Sequence, residues 1–247
     1  MEPVSKKLEV EDNCSEPFTQ KGSHDDEVTL AFGKNKLYVS RNFLCLASPV
    51  FEAMFRNECR EKKEKLVQMT GTYEDFIEFL LCIHPRILKE VNELNVLRIV
   101  PLAEKYQVTS IITKCKALMK WMLSNAEKTA SSLYASKDKI DSRQLEPLKN
   151  CLTVLTSATS LNYTDIIDLA VKSVVRFGYC LYNGVDHSKK VSSPFCPGLD
   201  SKIGLNNETT FVDLYRDCNV LFQSFSLELR NKILSERLMR VYDKDFK

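Results

Sequence analysis

Apolar and polar residues alternate along the chain from residue 28, which predicts a β-hairpin. The alternation runs over residues 28–32 and resumes at residues 37–39. Between these segments, Gly33, Lys34 and Asn35 supply the residue types of a tight turn. A period of two indicates strands with one face buried, so other elements must cover that face of the hairpin.

Two short helices are predicted directly after the hairpin. Ser40 is suited to cap the first helix, and Ser48 followed by Pro49 is a favoured start for the second. Serine accepts a hydrogen bond from an otherwise unpaired backbone N–H, and proline fits the first helical position. Phe51 and Phe55 lie four residues apart, so they share the buried face of the second helix.

Apolar residues at helical spacing predict two longer helices in the remainder of the first half. One covers residues 73–83, where Thr72 and Asp75 form a start like a capping box. The other covers residues 111–122, where apolar positions recur every three or four residues. Between them, Pro101 should kink or shorten a further helix because proline lacks a backbone donor.

These elements, in this order, resemble the BTB/POZ domain. The family's helical stretch Leu-x-x-x-Ser-x-x-Phe-x-x-x-Phe is matched in turn by Leu44, Ser48, Phe51 and Phe55. Its Leu-Ala-x-Lys-Tyr helix is matched by residues 102–106, and the resemblance covers residues 26–123. It implies an α+β fold, in which a small β-sheet is covered by helices.

The first 25 residues depart from the family pattern. Many dimeric members have an amphipathic helix before the first strand, whereas acidic residues outnumber basic ones in residues 1–25 and apolar positions are few. This composition predicts a disordered tail, because it has little apolar surface to bury. The resemblance therefore leaves open whether the chain forms the family's usual helix-swapped homodimer.

The second half of the chain, residues 124–247, predicts an all-α region. Apolar residues recur at helical spacing in residues 143–157, after a capping Thr164, and in two segments beyond residue 207. Residues 178–207 hold four of the seven glycines and two prolines, which predicts a long irregular loop. In many BTB proteins a helical extension follows the domain, and this region is similar in placement.

Composition narrows the classes of function. A net charge of +2 gives no general attraction to nucleic acid or to an anionic membrane, and no segment has the apolar length of a membrane span. The first residues have no apolar core of a secretory signal, so a cytoplasmic or nuclear location, or both, is predicted. The nine cysteines include no C-x-x-C pair, so neither a zinc site nor a disulfide framework is predicted.

The sequence offers no arrangement of residues that indicates catalysis. The three histidines lie far apart, and glycine-rich phosphate loops, G-x-S-x-G and H-E-x-x-H motifs are missing from the sequence. We therefore predict a protein that is not an enzyme, with no cofactor, no metal and no catalytic residue. Its function is expected to be binding to other proteins.

The segment after Phe55 is the candidate docking site that the resemblance implies. Cullin-binding BTB proteins carry a hydrophobic residue, any residue and an acid in the loop leaving this helix, and Cys59 and Glu61 occupy those positions. Cys59 would offer an apolar contact and Glu61 a carboxylate to a cullin groove. The alternative is a solvated loop in which basic and acidic residues alternate.

Two functional hypotheses follow from the resemblance. The first is a substrate-recruiting adaptor of a cullin-RING E3 ubiquitin ligase, with a cullin of the third type and an unidentified protein target as partners. The second is a scaffold outside the ligase system that self-associates and assembles regulatory or transcriptional complexes. Both predict exposed apolar surface around the self-association candidates Phe43, Leu44 and Leu46.

Overall fold

The computed structural model describes residues 17–22, 25–56, 66–133, 142–177 and 208–245. Their contacts divide the chain into two compact units. The first unit extends to residue 90 and includes residues 98–112, and the second comprises residues 91–97 and the chain from residue 113. The predicted tail falls mostly, and the predicted loop at 178–207 wholly, outside the described residues.

The first unit contains a three-stranded sheet whose strands are β1 (Glu27–Phe32), β2 (Asn35–Ser40) and β3 (Leu66–Gln68). Their order is β2-β1-β3, with β1 antiparallel to β2 and parallel to β3. The hairpin is thus confirmed. Gly33 has a φ of 61°, and it is the first of two turn residues, where a hairpin turn of type II′ requires the left-handed region.

Helices of the first unit follow the predicted pattern. They are α1 (Arg41–Ala47), α2 (Pro49–Arg56) and α3 (Tyr73–Ile83), followed by α4 (Val96–Lys105) and α5 (Thr109–Leu133), which also contain residues of the second unit. The four largest fully buried side chains are aromatic: Phe51, Phe55, Phe76 and Phe79. The small sheet covered by helices confirms the α+β prediction.

One local prediction in this unit needs correction. Thr72 does not cap α3 through its side chain, because its hydroxyl bonds the carboxylate of Asp75 and not a backbone N–H. Pro101 lies inside α4, which continues to Lys105, so the proline does not end the helix. The kink at Pro101 stays a prediction.

The second unit is helical in all its described elements. Beyond its part of α5, these elements are α6 (Ser142–Ser160), α7 (Thr164–Val174), α8 (Glu208–Ser224) and α9 (Leu227–Asp245). Helix α6 packs against both α7 and α8. Its apolar stripe is buried as predicted, through Leu145, Leu148, Leu152 and Leu155. The core of this unit is therefore mainly aliphatic.

Three predictions for the second half are adjusted by the structure. Tyr163, not Thr164, is the capping residue of α7, and its side chain makes no capping bond. Leu238 belongs to the apolar residues at helical spacing beyond residue 207, but 60% of its surface is exposed. Helix α5 runs through residue 123, where the first domain was expected to close. The domain boundaries at residues 25 and 123 stay predictions.

Charged side chains join neighbouring helices of the second unit. Lys149 of α6 binds Asp217 of α8 at 2.8 Å, and Lys232 of α9 binds Asp168 of α7 at 2.7 Å. These hydrogen-bonded cations lower the pKa of each carboxyl below its ordinary value. The pairs are exposed, so each adds little stability.

Candidate interaction surface

Ser48 fixes the junction between α1 and α2 from inside the core. Its buried hydroxyl accepts a hydrogen bond from the backbone N–H of Phe51 at 3.1 Å and donates one to the carbonyl of Tyr106 at 2.6 Å. The second bond joins residues 58 positions apart. Ser48 therefore caps α2, as predicted, and also fastens it to the end of α4.

Tyr106 completes an aromatic cluster beneath α2. Its ring stacks on Phe51 at a centroid distance of 4.3 Å and meets the edge of Phe76 at 5.6 Å. Such contacts stabilise beyond the area they bury. Burial raises the pKa of Tyr106 to about 12, so its hydroxyl stays protonated at neutral pH.

Arg41 holds the other end of α2. Its guanidinium donates a hydrogen bond to the backbone carbonyl of Phe55 at 2.7 Å, and it lies 5.7 Å from the centroid of the Phe55 ring. A cation at the last turn of a helix also interacts favourably with the helix dipole. Both ends of α2 are thus held, and its last residue, Arg56, is followed by the segment that carries the docking candidates.

A second surface lies on α1, around His84. The rings of Phe18 and Phe43 lie 5.5 and 5.2 Å from the imidazole of His84, in edge-on contacts. Burial and the cation of Arg86 lower the pKa of His84, so it is neutral at pH 7. Leu46, three residues after Phe43 on α1, is 90% exposed. Phe43 and Leu46 therefore make this side of α1 apolar.

The predicted site residues have different placements. Phe43 is half-buried and Leu46 is exposed, whereas Leu44 is fully buried and belongs to the core. The expectation of exposed surface at Leu44 is corrected, because its side chain faces inward on α1. Cys59 and Glu61 lie outside the described residues. The roles of these five residues in docking and self-association stay predictions.

Arg41 and His84 are the side chains at these surfaces that the sequence did not indicate. Arg41 follows the capping Ser40 directly, and no periodic pattern in the sequence marks it as different from other basic residues. His84 follows the last residue of α3, and its contacts to Phe18 and Phe43 join three segments distant in sequence. Only the folded chain brings these groups together.

The family comparison agrees with this geometry. The family model described as BTB/POZ domain matches residues 16–123, a range that includes the sheet, the Ser48 junction and the aromatic cluster. Residues 16–123 form a BTB/POZ domain. The matched range includes residues 91–97 and 113–123 of the second unit and ends before α6.

Two curated relatives from Caenorhabditis elegans share part of the chain. One is BTB and MATH domain-containing protein 38, which is 32% identical over 94 residues, or 38% of this chain and 24% of that protein. The other is BTB and MATH domain-containing protein 36, which is 24% identical over 117 residues, or 47% of this chain and 36% of that protein. The chain therefore spans about a quarter and about a third of these relatives.

The BTB/POZ domain supports the prediction that residues 16–123 are a protein-interaction module. Domains of this family mediate binding between proteins and often oligomerise. Within the described residues, no cluster of three potential metal ligands occurs. No helix in the described parts of the chain is long and apolar enough to cross a membrane.

Proposed function

We propose that the chain is a substrate-recruiting adaptor of a cullin-RING E3 ubiquitin ligase containing a cullin of the third type. The observation that supports this is the fixed α2 of a BTB/POZ domain, held by Ser48 and Arg41 and followed directly by the segment with Cys59 and Glu61. The proposal assigns no catalysis to the chain. It includes the predicted cytoplasmic or nuclear location.

The docking chemistry follows from the two side chains. Cys59 would place a small apolar group in the groove of the cullin, where water is excluded. Glu61 would place a carboxylate at the rim, to accept hydrogen bonds from a backbone or cationic donor. In the chain, this segment lies between α2, which ends at Arg56, and β3, which begins at Leu66.

In this proposal the second unit recruits the target. The BTB/POZ domain covers 16–123, so α6 to α9 are available for a different partner. The target is an unidentified protein, and its ubiquitination would depend on simultaneous binding of the cullin to the first unit.

Binding of the full chain to a purified cullin of the third type tests the proposal. Isothermal titration calorimetry should detect a complex with the natural sequence. The double variant Cys59→Asp with Glu61→Lys should abolish it, because it buries a carboxylate and reverses the charge at the rim.

A matched control carries Asn57→Asp with Glu64→Lys, which makes the same net charge change in the same segment. This control should keep most of the affinity. Equal binding by the natural chain and the Cys59/Glu61 variant would remove the site assignment, and no binding by the natural chain would remove the adaptor function.

The second candidate function is the self-associating scaffold. It is supported by the apolar side of α1, where Leu46 is exposed beside the half-buried Phe43. A scaffold of this kind would self-associate at rising concentration in the absence of any cullin, which light scattering measures.

A further inference from the structure

One face of α5 in the second unit carries a continuous exposed stripe. Its residues follow one another at intervals of three and four, which is the spacing of one side of a helix. They are Lys114, Ala117, Trp121, Ser124 and Lys128. All five are exposed, and the stripe extends over about 21 Å at the helical rise per residue. We call this set the Trp121 stripe.

Contacts within the second unit fix the orientation of this face. Lys116 lies over the ring of Tyr163 at 3.9 Å, and Lys120 binds Asp165 at 2.6 Å. The opposite side of α5 is buried through Cys115, Met119, Met122, Leu123 and Ala126. Because α5 is held on these sides, the Trp121 stripe faces away from the core of its unit.

Trp121 is the only tryptophan of the chain, and 50% of its surface is exposed. Tryptophan is enriched, with tyrosine and arginine, among the residues that dominate binding energy at protein interfaces. Ala117 and Ser124 lie one turn before and one turn after it. These small side chains leave room beside the indole for apolar side chains of a partner.

Charge defines the chemistry of that partner. Lys114 and Lys128 stand at the two ends of the stripe, and neither has an ionic partner among the residues that the structure describes. Lys120, by contrast, is paired with Asp165. A partner with carboxylates at both ends of an apolar centre would complement this arrangement.

We propose that the Trp121 stripe docks an acidic amphipathic helix of another protein. The partner's apolar face would pack on Trp121 between Ala117 and Ser124, and its acidic residues would pair with Lys114 and Lys128. Intervals of three and four on one helix fit the side chains of a second helix lying along it. This inference goes beyond cullin docking at Cys59 and Glu61, because the stripe lies on α5, across the end of the BTB/POZ match at residue 123.

The experiment uses the full chain and a synthetic peptide of about 21 residues, with leucine at the a and d heptad positions and glutamate elsewhere. Trp121 is the only source of tryptophan emission, so its fluorescence reports this site. The acidic peptide should shift the emission to shorter wavelength. A lysine version of the peptide and a scrambled acidic version should leave the emission unchanged.

Fluorescence anisotropy of a labelled acidic peptide then measures how tightly each variant of the chain binds it. Trp121→Ala should weaken binding about thirtyfold, as the loss of a dominant interface residue does. Lys114→Glu with Lys128→Glu should weaken it about tenfold. The control Lys34→Glu with Lys36→Glu makes the same charge change on the exposed hairpin turn and should bind as the natural chain does.

Three results would overturn the proposal. They are no emission change with the acidic peptide, equal binding by the Lys114/Lys128 variant and the hairpin control, and an emission shift with protein concentration in the absence of peptide. The last would mean that the stripe contacts a second copy of the chain. Since no cullin is present, each result is independent of the test of cullin docking.

Discussion

The two units of this chain are stabilised by different kinds of contact. In the first unit, a buried serine and a cluster of aromatic rings join segments far apart in sequence, as the bond between Ser48 and Tyr106 illustrates. In the second, aliphatic stripes pack between helices whose exposed charges form pairs such as Lys149 with Asp217. The first kind of contact demands particular residues, and the second demands mainly apolar character at the right spacing.

This difference explains where the family can be recognised. Only a small hydroxyl residue can replace Ser48 while keeping both of its hydrogen bonds, and the stacked pair of Phe51 and Tyr106 needs flat rings. Many apolar residues can fill the stripe of α6. The BTB/POZ match includes Ser48, Phe51 and Tyr106 and ends before α6.

The largest expected effect comes from substituting one buried side chain in the core of each unit by alanine, in two separate variants. Phe76→Ala should lower the free energy of unfolding by about 3–5 kcal/mol, and Leu155→Ala by about 2–5 kcal/mol, because both side chains are fully buried. Hydrogen exchange should quicken in β1 and α3 for the first variant and in α6 and α7 for the second. If either variant exchanged hydrogen faster in both units, the two units would unfold together, and their stabilities could not be treated as separate.

Ser48→Ala should have the next largest effect, about 2–3 kcal/mol. It removes the cap of α2 and leaves the buried carbonyl of Tyr106 without its hydrogen bond. The control Ser40→Ala removes a cap from a half-buried position and should cost about 1 kcal/mol. Urea denaturation followed by circular dichroism measures both, and equal losses would contradict the special role of Ser48.

Acid should weaken the second unit by a smaller amount. Lys232 and Lys149 lower the pKa of Asp168 and Asp217, so both carboxylates stabilise the fold above their unfolded pKa of about 3.9. That contribution is lost as the pH falls through the folded pKa. The double variant Asp168→Asn with Asp217→Asn should therefore lose less stability between about pH 6 and pH 3 than the natural chain.

Urea unfolding followed by the emission of Trp121, which lies in the second unit, measures this loss. An identical acid response in the double variant and the natural chain would show that the two ion pairs contribute nothing measurable.

The smallest expected effect on stability is that of Leu46→Ser. Leu46 is 90% exposed, so the free energy of unfolding should change by less than about 0.5 kcal/mol. If the apolar side of α1 mediates self-association, light scattering should show a smaller assembly for this variant. An unchanged assembly would remove Leu46 from the self-association candidates. Leu44→Ala, by contrast, should cost about 2–5 kcal/mol because Leu44 is buried.

The sequence by itself determined the hairpin, the caps at Ser40 and Ser48, the helix at 73–83 and the helical character of the second half. These features depend on neighbours in the chain: alternation, helical spacing and capping each involve residues only a few positions apart.

The tertiary structure decided the features that depend on distant residues. It placed Leu44 in the core and Leu46 in solvent, although both are leucines on one short helix. It directed the hydroxyl of Ser48 to Tyr106 and set the exposed face of α5 that carries Trp121. Exposure depends on which segments pack against a residue, and that is settled only when the whole chain has folded.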